Sequence, residues 1–108
     1  MVEQRMKALQ YIEGQRAYLQ SVLAKVDRLD DYTAKVVRFN IRRCFLNFRR
    51  YEDDIANYPN RELDVHLDYK RRFAYYRLNM LDLGIDWDDV IAQIEEGQKD
   101  GQTVEKRD

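Results

Sequence analysis

The sequence predicts an all-α protein: an antiparallel three-helix bundle with a short fourth C-terminal helix and a mobile polar tail. Three observations carry this fold class. Glycine and proline are scarce, four and one in 108 residues, and apart from Gly14 they fall where helices should stop. Apolar residues recur at helical spacing through three long segments. Nowhere do alternating Val, Ile or Thr runs lie between turn clusters, so strand signals are absent. A chain of this length forms one domain, assigned to residues 1–97, with residues 98–108 as a flexible tail.

Helix 1 is predicted from Val2 to Val26 or Leu29. Ala8, Ile12, Leu19, Val22, Leu23 and Val26 share one side, with Leu9, Tyr11 and Tyr18 flanking and Gln15 in mid-stripe. The Asp30-Asp31 pair breaks the chain and supplies an N-cap, where acids suit the positive end of the next helix. Helix 2, Tyr32 to Asn57, has the clearest period. Val37, Ile41, Cys44, Phe48, Tyr51, Ile55 and Tyr58 step alternately by four and three, a seam of the antiparallel-bundle kind. Tyr58-Pro59-Asn60 ends it, because the residue before proline is biased away from helix.

Helix 3, Arg61 to Leu83, takes Asn60 as its cap and stops at Gly84, a left-handed C-cap. Its apolar arc is broad: Tyr69, Phe73, Tyr76 and Met80 on one side, Leu63, Leu67, Ala74, Leu78 and Leu81 on the other. That breadth predicts contact with two neighbours. Helix 4 begins at the N-cap Asp86, with Ile85 and Val90 as a hydrophobic staple and Trp87, Ile91 and Ile94 as its stripe before Gly97. Short connections make neighbouring helices antiparallel, which sets Leu19 near Ile41, Ile12 near Phe48, and Glu52 near Leu67 and Lys70.

No apolar run approaches the ~18 residues a bilayer span needs, and MVEQRMKALQ carries charges where a signal peptide needs its apolar block. An intracellular location follows as an expectation. The single cysteine, Cys44, excludes an internal disulfide. Nucleophile–base chemistry is poorly supplied, with Cys44 on the helix 2 seam and only one histidine, His66. A second histidine and a Glu-x-x-His pair are both missing for a metal. Glu52, Asp53 and Asp54 are consecutive on a helix, so they point apart and cannot close around one ion. The expectation is a non-enzymatic protein with no catalytic residue, cofactor or metal.

Net charge is −1 but arranged in blocks. Residues 35–50 carry six positive charges and no negative one, and residues 82–97 carry six acids and no base. On helix 2, Lys35, Arg38, Arg42 and Arg49 line up beside the seam with Phe45 among them. Arg43 and Arg50 lie further round, and Phe39 and Leu46 sit between the two arginine groups, roughly opposite Cys44. A solvated face has no use for Phe39 and Leu46. Three readings are open. Helix 4 or the end of helix 1 covers them; or they form a protein–protein interface, where Arg and aromatics are enriched and Lys is depleted, matching thirteen arginines to six lysines here. Third, Lys35, Arg38, Arg42, Arg49, Lys70 and Arg77 contact phosphate, although Glu52, Asp53 and Asp54 follow directly and would repel it.

The run Val37-Arg38-Phe39-x-Ile41-Arg42, continuing through Phe45-Leu46 and Arg49 to Glu52, resembles the central helix of GINS subunits, helical components of the replicative helicase assembly. Glu62-Leu63, Tyr69, Tyr76 and Asn79 resemble the following helix. No strand pattern here matches the β-rich domain that those subunits also carry. The resemblance implies a non-catalytic subunit whose helical faces join partners, cytoplasmic or nuclear. A small phage-type inhibitor fits the same features. The expected function is an interaction module, with Arg38, Phe39, Arg42, Arg43, Phe45, Leu46, Arg49, Arg50, Tyr69, Lys70, Tyr76 and Arg77 meeting a protein partner or a second copy. Nucleic acid is the alternative partner, and a membrane is not expected.

Overall fold

The computed structural model describes residues 2–58 and 64–96, and all regular structure among them is helical. α1 spans Val2–Leu23, a 3-10 turn spans Val26–Arg28, α2 spans Asp31–Asn57, α3 spans Val65–Asp82, and α4 covers residues 87–96. The predicted tail and the Pro59-Asn60 connection lie outside the described residues.

α1 ends at Leu23, three residues short of the predicted Val26 and six short of Leu29. The Lys25 N–H donates to the Val22 carbonyl at 3.0 Å, a tight i to i−3 bond that converts the chain to 3-10 geometry. With three residues per turn, Val26 and Leu29 then fall on one side, and both are buried. Of the predicted Asp30-Asp31 pair, Asp30 caps α2 and Asp31 is its first residue: the Asp30 Oδ1 accepts from the Thr33 N–H at 2.8 Å and its Oδ2 from the Thr33 hydroxyl at 2.9 Å.

The seam of α2 is buried from Val37 through Ile41, Cys44, Phe48 and Tyr51 to Ile55. Tyr58, predicted to continue it, is exposed instead, because its backbone (φ −129°, ψ 66°) has already left the helix. α3 starts at Val65 rather than Arg61, with Asp64 as cap; its Oδ1 accepts from the Leu67 N–H at 2.9 Å. The predicted cap Asn60 and its companion Glu62 lie outside the described residues. Gly84 does close α3 with a left-handed φ of 81°, and the Ile85 N–H reaches back to the Met80 carbonyl at 2.9 Å. In α4 the staple pair Ile85 and Val90 is buried, as are Trp87 and Ile94.

α1, α2 and α3 each touch the other two around one core. Arg16 of α1 reaches α2 near its far end, its guanidinium 5.7 Å from the Phe48 ring centre and bidentate to Glu52 at 2.7 and 3.1 Å. Glu52 therefore forms its ion pair with α1 and not with Lys70 of α3. Between α2 and α3, the Tyr51 hydroxyl donates to Asp68, and the Asn47 amide donates to the Tyr76 hydroxyl. The broad arc of α3 is buried on one side only. Val65, Tyr69, Tyr76 and Met80 are core, whereas Leu67, Ala74, Leu78 and Leu81 stay exposed, so both neighbours are met by the same side.

Candidate docking face on helix α2

Helix α2 is apolar on two sides, and the fold covers only one of them. At about 100° per residue, Phe39 and Leu46 lie about 140–160° round from Cys44. Burial of the Cys44 side therefore turns them outward. They are 54% and 64% exposed, so neither α4 nor the end of α1 covers them.

The basic residues divide by position. Arg38 donates to Asp27 at 3.1 Å and Arg77 to Asp88 at 2.8 Å, both at exposed sites. Lys35, Arg42, Arg43, Arg49 and Arg50 form no ion pair with another described residue. Lys35, Arg42 and Arg49 edge the Phe39–Leu46 line on one flank, Arg43 and Arg50 on the other. Arg43 is held by rings instead of acids: its guanidinium carbon lies 4.4 Å from the Tyr76 ring centre and 5.8 Å from that of Phe39.

Other predicted interface residues are placed differently. Tyr69 and Tyr76 are buried, so the tyrosine-rich side of α3 is core and is not presented to a partner. Phe45 is half-buried against the core, with its ring centre 6.3 Å from that of Phe48. Lys70 is exposed on α3, away from the α2 line. Two residues of α3 missing from the predicted set, Tyr75 and Leu78, are also exposed, at 58% and 59%. The Tyr75 ring lies 6.4 Å from that of Tyr76, which faces Arg43 of α2. Their helical spacing was visible in the sequence; which of two apolar sides of α3 would be buried was not.

Cys44 and His66 sit in different settings. Burial pushes the Cys44 thiol up to about 11, against a weaker opposite pull from its bond with the Tyr69 hydroxyl. Such a thiol is almost wholly protonated at neutral pH and unreactive. His66 is exposed, with its ring set edge-on to Tyr11 at 4.7 Å. Among the described residues no group of three or more His, Cys, Asp or Glu side chains is placed to hold a metal ion. Among them, too, no helix is long and apolar enough to cross a membrane.

No family model, curated protein or solved structure matches this chain. The resemblance to GINS helices is thus neither supported nor opposed by comparison.

Proposed function

We propose that this chain is a non-enzymatic docking module, a three-helix bundle with a short fourth helix, that binds a protein partner through the outer face of α2. The observation that carries this is the exposure of Phe39 and Leu46 between arginines that pair with no described acid. Two large apolar side chains one heptad apart gain free energy only by leaving water, and the fold leaves them in it. A subunit or regulator of a DNA-replication assembly is one setting for such a module, by the GINS resemblance.

The test is photo-crosslinking from benzoylphenylalanine placed at position 42 in cell extract. Discrete protein adducts are expected, and they should vanish when Phe39 and Leu46 are both changed to Ala while the melting temperature holds. Adducts to nucleic acid in place of protein would favour the phosphate-binding alternative. Adducts indifferent to the double substitution would remove the basis of the proposal.

A further inference from the structure

The geometry points to an acidic amphipathic helix as the partner that α2 takes, an inference that rests on the docking function proposed above. Phe39 and Leu46 are seven residues apart, about 10.5 Å along the axis. A helix laid alongside presents apolar anchors at the same heptad interval. The flanks decide its charge. Lys35, Arg42 and Arg49 stand on one side of the apolar line and Arg43 and Arg50 on the other, and none of them forms an ion pair with another described residue. A partner helix with Asp or Glu on both sides of its apolar stripe meets cations along both edges. A basic helix meets repulsion there.

Four other occupants fit less well. A second copy bringing the same face would set Lys35, Arg42 and Arg49 against their own counterparts, with like charges lining the contact. A second copy bringing its acidic helix α4 would offer Asp88, Asp89, Glu95 and Glu96. The apolar residues Trp87, Val90 and Ile94 of that helix are already buried in its own core, and Ala92 is its only exposed apolar residue. Phe39 and Leu46 would meet little apolar surface beyond Ala92 and the half-buried Ile91. The segment GQKDGQTVEKRD at residues 97–108 balances three bases against three acids and contains one aliphatic residue, Val104, too few to anchor on both.

A phosphate backbone would satisfy the arginines but would leave Leu46 facing charge. Asp53, one helical turn beyond Arg49, is also exposed where phosphate would run. Arg43 already lies over the rings of Tyr76 and Phe39, so the grip is part ring and part cation.

The experiment is fluorescence anisotropy on the full chain with two labelled 21-residue peptides. Both carry leucine at the a and d positions of three heptads; one has Glu and the other Lys at the flanking positions. A 20-nucleotide single strand and its duplex are run beside them. The acidic peptide is expected to bind at least tenfold more tightly than the basic peptide and than either DNA. Changing Phe39 and Leu46 to Ala should weaken it at least tenfold with the circular dichroism unchanged. Changing Arg42 and Arg49 to Glu should reverse the order of the two peptides, a readout that a merely unfolded variant cannot give. A preference below tenfold, tighter binding of DNA, or no peptide binding overturns the assignment. If the Phe39- and Leu46-dependent protein adducts persist in that event, docking stands and only the acidic partner falls. If they are absent too, both fall.

Discussion

The guanidinium of Arg43 is stacked over the ring of Tyr76 at 4.4 Å, which ties the outer face of α2 to the core of the α2–α3 contact. Tyr76 is buried and its hydroxyl takes a hydrogen bond from Asn47, so the ring under the arginine is held in place. Arg43 should therefore contribute to stability as well as to docking. We expect Arg43→Ala to lower the unfolding free energy by about 1 kcal/mol in urea titrations, and Arg43→Lys to recover less than half of it, because the ammonium lacks the planar stack. Full recovery with lysine would show that only charge matters there.

Phe39 and Phe48 sit on the same helix and should behave oppositely. Phe48→Ala empties a fully buried site and is expected to cost about 3–5 kcal/mol. Phe39→Ala, like Leu46→Ala, should change stability by no more than about 0.5 kcal/mol, since solvent already surrounds much of each side chain. Thermal melts of the three variants give the comparison. A cost above about 2 kcal/mol for Phe39→Ala would mean that the residue packs internally.

Two glycines should respond to alanine with opposite signs. Gly14 lies within α1, and a Cβ there would meet nothing within 4 Å. Gly14→Ala should stabilise the protein by about 0.5–1 kcal/mol through helix propensity. Gly84 has equally open surroundings but a φ of 81°, so Gly84→Ala should destabilise by about 1–2 kcal/mol from backbone strain alone. Matched signs in calorimetry would contradict the left-handed cap.

Burial raises the Cys44 thiol from 9.0 to about 11, and it raises the Tyr51 and Tyr69 hydroxyls as well. The unfolded chain therefore releases these protons first. Stability from this source is intact below about pH 9 and declines as pH rises through the folded values. Urea midpoints measured from pH 7 to 11 should fall at the alkaline end, less steeply in Cys44→Ala. Ellman's reagent at pH 8 should label Cys44 only after unfolding.

At the acid end Asp68 is the group to follow. Burial alone would raise its carboxyl, but the bonds from Tyr51 and from Arg72 at 2.8 Å outweigh it and hold the group below its ordinary 3.8. The stability so gained is present above about pH 4 and lost as pH falls through the folded value. Tyr51→Phe should cost about 1 kcal/mol at neutral pH and shift the acid-unfolding midpoint upward. An unchanged midpoint would show that Arg72 alone holds the carboxylate.

What the sequence determined by itself was the helical class, the buried seam of α2, the Asp30 and Gly84 caps, and the Ile85–Val90 staple. Each depends on neighbours within about one or two turns, and local chemistry fixes them. The presence of two apolar lines on α2 was equally legible, because spacing alone reveals it. Which line would be covered was settled only in the tertiary structure. α1 and α3 meet α2 on the Cys44 side, so Phe39 and Leu46 are left in water, while the partners of Glu52, Arg38 and Arg77 are set by which helices approach and at what height. Tyr69 and Tyr76, which the sequence predicts at an interface, lie in the core for the same reason. Periodicity specifies that a helix has a face; the angle at which its neighbours arrive specifies which face is interior.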